Sequence, residues 1–328
     1  MATPLNILIV GGAGRLTYEA VLFVASLRHS DPDFASRLIV ADPAPGPLWP
    51  KPAKITDPDA LDLLQTLGAE VTPFDAKQLG AAYPQGNKIE ALDLLPKGEP
   101  FLFFDSDTLI TGALSNLETK TAKPSASMRR EGTWPKPELY GPGIEAIWQS
   151  LFDRLGLDFA TSLDPTQPEG HWERYLYFNA SWFFGHCPHE FQARMFDVML
   201  MIRDDPPPEL ICQPIYPWLD QIALPLVIHE LGGGRPGPEL NALDGGVACH
   251  WRVLPLAYAR EPDTVIDTLE AVAAPNRIKR VLKSHEPMKR MIFQGRGRKV
   301  RTLFDQENLP PKEQVIRNKI KREGFWMR

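Results

Sequence analysis

The chain has 328 residues, 43% apolar and 23% charged, with a formal net charge of −5, which leaves room for one large or two ordinary domains around a proper core. Its 24 Gly and 33 Pro follow no fixed period, so a collagen-like chain is excluded and many ordered loops are expected. No apolar run nears the roughly 20 residues of a membrane span, no basic stretch precedes the first apolar segment as in a secretory leader, and Cys187, Cys212 and Cys249 are too scattered for a zinc ribbon or disulfide framework. A reducing cytoplasm is the expected location.

Residues 6–10 (NILIV) form an apolar, β-branched run that opens into Gly11, Gly12 and Gly14, a buried strand ending in a tight turn. Helical spacing follows over 18–27, and RLIVADP (37–43) is a second strand stopped by Pro43 and Pro45. A helix is predicted over 57–67, a strand over 68–75, a helix over 88–95 and a strand over 100–104 that runs straight into Asp105. This alternation predicts an α/β fold with a mostly parallel sheet flanked by helices. Beyond Asp107 the pattern becomes irregular: a strand over 125–130, a helix over 144–155, an aromatic strand over 175–185, helices over 190–203 and 218–226, and a last strand over 245–253. Past Pro262 the chain predicts basic helices over 265–272 and 277–282, a Gly/Arg segment and a terminal helix. From 277 to the end there are 16 Lys/Arg against 5 Asp/Glu, so a basic tail follows an acidic body and either a polyanionic partner or a solvated helical face is expected.

Two segments compete for a nucleotide. Gly12 and Gly14, with Asp42 at the end of the second strand, match part of a dinucleotide-binding fingerprint, whose third glycine is replaced by Thr17. That leaves an NAD(P)-dependent oxidoreductase as one reading and a simple strand-to-helix turn as another. The second segment is FLFFDSDTLI (101–110), where Asp105 and Asp107 sit at the end of a buried strand. Residues i and i+2 of an extended chain point the same way, so both carboxylates can reach one hard cation, Mg²⁺ or Mn²⁺. The carboxyl end of a central strand is where open α/β sheets bind ligands.

The run GNKIEALDLLPKGEPFLFFDSDTLI resembles the segment of GT-A fold nucleotide-sugar glycosyltransferases in which a Lys-bearing helix precedes a strand ending in D-x-D, closest to the glycogenin and bacterial lipopolysaccharide glycosyltransferase group. YFNASWFFG, WLDQIAL and CHWRV resemble three further blocks of that group, in order. The resemblance implies a GT-A sheet domain over residues 1–260 with a basic helical extension over 261–328. It implies metal ligation by Asp105, Asp107 and His250, with Mn²⁺ or Mg²⁺ as cofactor. It places Gly11, Gly12, Asp42, Lys88 and Asp105 around a nucleotide diphosphate sugar, UDP-sugar favoured, and Asp220, Asn179 and Gln221 around the reacting sugars. The implied activity is transfer of a hexose to a glycan or lipid-linked acceptor.

Two departures from the group's pattern stand out: Ser181 and Trp182 follow the Asn where a small residue is common, and Trp251 and Arg252 follow His250 where Gly and Lys are frequent. Arg252 is chemically suited to clamp a diphosphate. The tail, which mixes basic and bulky apolar residues, suits peripheral attachment to an anionic inner membrane face. No nucleic-acid-binding module accompanies it, and nucleic acid is not expected as a partner. A non-catalytic nucleotide-sugar or polyanion-binding protein is the remaining alternative.

Overall fold

A computed structural model describes residues 5–50, 53–130 and 132–327. The NILIV run forms β1 (Asn6–Val10), whose Ile7, Leu8 and Ile9 are fully buried, as a parallel strand covered on both faces requires. There follow α1 (Arg15–Ser30), β2 (Leu38–Pro43), α2 (Pro58–Thr66) and β3 (Glu70–Phe74). The Asp57 carboxylate caps α2 by accepting from the backbone N–H groups of Asp59 and Ala60. Helix α3 (Asn87–Glu90) continues as a 3-10 turn over Ala91–Leu94 and leads to β4 (Phe101–Phe104).

The remaining elements are β5 (Thr108–Ile110), β6 (Ser125–Ser127), α4 (Ile144–Arg154), β7 (Asn179–Gly185), α5 (Pro188–Asp204), α6 (Leu219–Glu230), β8 (Ala248–His250) and α7 (Leu254–Arg260). The extension holds α8 (Asp263–Ala273), α9 (Asn276–Leu282), α10 (Glu286–Met288) with a π-type turn over Lys289–Phe293, α11 (Arg296–Arg301) and α12 (Glu313–Arg322).

Six strands make the main sheet in the order β3-β2-β1-β4-β7-β6. β1 runs parallel to β2 and β4, and β2 to β3, while β7 is antiparallel to both neighbours. β7 is therefore the only strand of this sheet that runs against the others. Side chains alternate across it with period two: Ile7, Ile9, Leu102 and Phe104 join the core beneath α1 and α2, and Leu8, Phe101 and Phe103 join the core beneath α3, α5 and α6. Successive strands step outward from β1 to β3, and the chain then returns to the other side of β1 with β4. The crevice at the carboxyl ends of β1 and β4 is thus a topological switch point, where open α/β sheets take their ligands.

Three features differ from the sequence expectations. β7 begins at Asn179, not Tyr175, because Tyr175–Phe178 are buried in the core without joining a ladder. Thr108–Ile110 is a strand, paired antiparallel with β8 in a separate two-stranded sheet. Leu254–Arg260 is a helix, with Pro255 within its first turn, where a missing N–H costs nothing.

The extension packs on the sheet domain: Val265, Ile266, Val281, Leu282, Ile316 and Ile320 belong to the same apolar core as α1. Gly297 lets α11 approach α7 closely, since a Cβ there would lie 2.3 Å from the Tyr258 ring. Much of the basic charge is paired. Arg277 meets Asp62 at 2.6 Å, Arg298 meets Glu270 at 2.7 Å, and Glu313 receives Arg252 at 2.9 Å, Arg260 at 2.6 Å and Arg317 at 2.5 Å. Among the described residues no helix is long and apolar enough to cross a membrane.

Candidate active site

β4 ends by handing the chain to Asp105, whose N–H donates to the Ser181 carbonyl of β7 at 2.7 Å. Two residues on, Asp107 points to the same side, and the short β5–β8 ladder brings His250 opposite Thr108. The Trp251 N–H, donating to the Asp107 carbonyl at 3.0 Å, ties the two segments together. His250 Nε2 consequently lies 3.1 Å from Asp107 Oδ1 and 4.0 Å from Asp105 Oδ2. One ligand atom from each of the three lies within 4.8 Å of the others. Burial alone would raise the Asp107 pKa, but His250 and Arg15 outweigh it and hold the carboxyl below its ordinary range. Two carboxylate oxygens and one imidazole nitrogen, converging, fit a divalent cation such as Mn²⁺ or Mg²⁺ that completes its shell with other oxygens.

Lys88 stands beside this group on α3. Its ammonium donates to Asp105 Oδ1 at 2.9 Å and to the Ala180 carbonyl at 3.0 Å, lies 3.6 Å from Asp220 Oδ2, and sits over the Phe103 ring. Asp220, in the first turn of α6, is 2% exposed. The Tyr83 hydroxyl donates to its Oδ1 at 2.6 Å, and the Asp220 N–H donates back to the Tyr83 oxygen at 3.1 Å. Burial raises the Asp220 pKa, and Lys88 and Tyr83 only partly offset it. Asp105, Lys88, Asp220 and Tyr83 thus form one polar chain from the cation site into the protein, which the distant sequence positions 83, 88, 105 and 220 do not suggest.

Arg15 and Glu19 complete the opposite wall. Arg15, the first residue of α1, pairs with Glu19 and lies 3.7 Å from Asp107 Oδ2. Glu19 is fully buried, accepts from the Ser106 hydroxyl at 3.0 Å, and has its pKa pushed up to about 8 by burial and by Asp107. An Arg four residues before a Glu is legible in sequence as a helix pair; that it faces the site and not solvent is not.

These walls enclose a pocket of about 500 Å³ at the switch point, bounded by Ala13, Arg15, Trp49, Asn87, Lys88 and Asp107 among others. Gly11 and Asp42 adjoin Val10 and Pro43, which line it, and both have polar groups engaged. Gly11 N–H donates to the Ala41 carbonyl and Ala13 N–H to the Ala53 carbonyl. The Thr17 hydroxyl, standing where a dinucleotide fingerprint has its third glycine, donates to the Gly12 carbonyl. Asp42 accepts from the Ile55 N–H at 2.8 Å, and burial is the main reason its pKa is raised. The N–H groups of Gly11 and Ala13 are thus spent on Ala41 and Ala53. Three other residues of the pocket carry buried polar atoms without a partner among the described residues: Trp49 Nε1, Gln85 Oε1 and Asn87 Oδ1.

A family model described as the Rhodobacterales glycosyltransferase domain matches residues 7–232, a span that includes β1, both aspartates and α6. The chain belongs to this glycosyltransferase family. No curated protein matches it. Among solved structures, similarity is found to an active-site mutant of LgtC (13% identity, TM-score 0.41, covering 70% of this chain and 71% of that one). It is also found to the galactosyltransferase LgtC in complex with donor and acceptor sugar analogs (14%, 0.40, 70% and 72%) and to the bifunctional glycosyltransferase WbbM in its apo form (13%, 0.40, 70% and 38%).

In this glycosyltransferase the other sequence candidates are placed as follows. Asn179 opens β7 and accepts from the Ser181 N–H through its Oδ1 at 3.0 Å. Gln221 follows Asp220 on α6 and accepts from the Tyr177 hydroxyl at 3.2 Å. Arg252, suited by its chemistry to a diphosphate, turns toward Glu313 of α12 with a backbone φ of 64°. The cation nearest Asp107 on the pocket wall is Arg15 instead. Phe178, Trp182, Phe183 and Phe184 are buried in the core.

Proposed function

We propose that this glycosyltransferase, of GT-A type, moves a hexose from a nucleoside diphosphate sugar, a UDP-sugar favoured, to a glycan or lipid-linked acceptor with Mn²⁺ or Mg²⁺ as cofactor. The observation that supports it best is the convergence of Asp105, Asp107 and His250 at the mouth of the switch-point pocket. A bound divalent cation would neutralise a diphosphate leaving group there. Around it the chain's own residues do the positioning. Lys88 fixes Asp105 and adds positive charge beside the phosphates. Arg15, held by Glu19, offers a guanidinium from the facing wall. Asp220, oriented by Tyr83 and Lys88, is the buried carboxylate that contacts the transferred sugar, with Gln221 and Asn179 on the acceptor side. Engagement of the Gly11 and Ala13 N–H groups by neighbouring carbonyls, with Thr17 in place of the third glycine, speaks against the NAD(P) alternative. Pairing of Arg277 and Arg298 in the tail leaves less charge for an anionic membrane, so a glycan acceptor is favoured.

The test is a thermal-shift panel of nucleotides and nucleotide sugars with and without Mn²⁺ on wild type and Asp107→Asn. A ligand that binds only the folded state raises the melting temperature by an amount that grows with its concentration over its dissociation constant. A Mn²⁺-dependent shift with UDP species that disappears in the variant is expected. A shift with NAD(P) that persists in the variant would overturn the reading.

A further inference from the structure

Three residues beyond β6, on the same edge of the sheet as Asp105, Arg130 occupies a half-buried position with no carboxylate partner among the described residues. One of its five N–H donors goes to the Tyr177 carbonyl at 3.0 Å, and the guanidinium carbon lies 4.5 Å from the centre of the Trp172 ring. A second arginine, Arg235, stands near it, and the hydrogen bonds it donates all go to backbone carbonyls: Ser162 at 3.0 Å, Arg174 at 3.1 Å and Glu173 at 3.3 Å. Glu173, whose charge also reaches Arg130, lies 3.9 Å from His171. Burial and the Arg235 charge outweigh Glu173 and lower the Arg130 pKa to about 10. The neighbouring Arg129, by contrast, is paired with Glu261 at 2.6 Å.

This wall is linked to the proposed acceptor side. Tyr177, whose carbonyl holds Arg130, donates its hydroxyl to Gln221, the residue after Asp220. β6 is two strands from β4, a lateral separation between strands of about 10 Å at the usual spacing.

We infer that Arg130, held flat by Trp172, binds an anionic group, phosphate or carboxylate, on the acceptor glycan. The inference rests on the transferase reading for what the neighbouring pocket does. A guanidinium with unused, fork-shaped donors binds either oxyanion through two parallel hydrogen bonds, and Trp172 holds its plane by cation–π contact.

The test uses the full chain with its donor pocket saturated by UDP and Mn²⁺, and reads binding of three probes by titration calorimetry: glucose 6-phosphate, glucuronate and methyl glucoside. At least one anionic probe should bind about tenfold or more tighter than the neutral one, the difference expected of a charge-assisted contact. Which anion wins tells phosphate from carboxylate. Arg130→Gln should abolish the preference while leaving UDP affinity and melting temperature unchanged, and Arg130→Lys should keep part of it. Equal binding of all three probes to wild type, or a preference that survives in Arg130→Gln, overturns the inference. Should Arg130→Gln fail to fold, an Arg130→Lys variant with undiminished preference for the anion overturns it equally. The UDP titration is read by itself, so absent donor binding counts against the transferase reading while the anion preference still decides the role of Arg130.

Discussion

Replacing Lys88 by Met tests the buried polar chain directly. The substitution keeps the side chain's length and removes the ammonium that lies 3.6 Å from Asp220 Oδ2, leaving a 2%-exposed carboxylate with Tyr83 as its donor. Burial already raises the Asp220 pKa in the folded state. A carboxyl whose folded pKa lies above its unfolded value of 3.8 contributes stability that is complete below that value and is lost as pH rises through the folded one. Without Lys88 the folded pKa climbs further, and the loss extends to higher pH. Its ceiling is the cost of taking a proton from solution, about 1.4 kcal/mol per pH unit above 3.8. That is about 4 kcal/mol at pH 7 and about 1.6 kcal/mol at pH 5, and the pH 7 value lies within the range seen when buried ion pairs lose one partner. Urea unfolding of wild type and Lys88→Met at the two pH values measures it. A deficit below about 1 kcal/mol at pH 7, or one equal at both pH values, would refute the claim that Lys88 neutralises a buried Asp220.

The extension offers two further tests. Burial would raise the pKa of Glu313, but Arg252, Arg260 and Arg317 hold it below its ordinary 4.5, so its contribution is present above that value and is lost as pH falls through the folded one. Glu313→Gln should cost about 2–3 kcal/mol at pH 7, measured by urea unfolding, with a gap to wild type that narrows as pH falls below 4.5. Gly297→Ala would place a methyl group against the Tyr258 ring, and a loss of about 1–3 kcal/mol should appear as a lower melting temperature. Wild-type stability in Gly297→Ala would show that α11 and α7 do not approach as described.

The first half of the sheet was legible because each strand there carries its own signal. β1 and β4 are short apolar runs bounded by Gly or Asp, and the helices between them have apolar spacing that needs no partner to be recognised. β5 lacked that property. It has three residues and is a strand only because β8 pairs with it, so Thr108–Ile110 reads as the tail of the D-x-D loop until Ala248–His250, the core of the strand expected over 245–253, is placed beside it. The residues that cluster at Asp105, Asp107 and His250 were legible in the sequence but their support was not. Arg15 and Glu19 look like an ordinary surface pair, and Tyr83 carries no motif, yet both contacts depend on burial that local patterning does not report. Arg252 failed in the other direction: its guanidinium chemistry suits phosphate, but Glu313, 61 residues later, takes it.

The lone antiparallel strand also dictates an order of assembly. β1 to β4 can pair as soon as residue 104 is made, but the outer edge of β4 stays open until β7 arrives some eighty residues later, and His250 reaches Asp107 later still. Contacts so distant along the chain close slowly, and an uncovered strand edge is a template for pairing with other chains. Arg15 and Lys88 are made early enough to meet Asp107 and Asp105, whereas the cluster of Asp105, Asp107 and His250 is complete only near the end of synthesis.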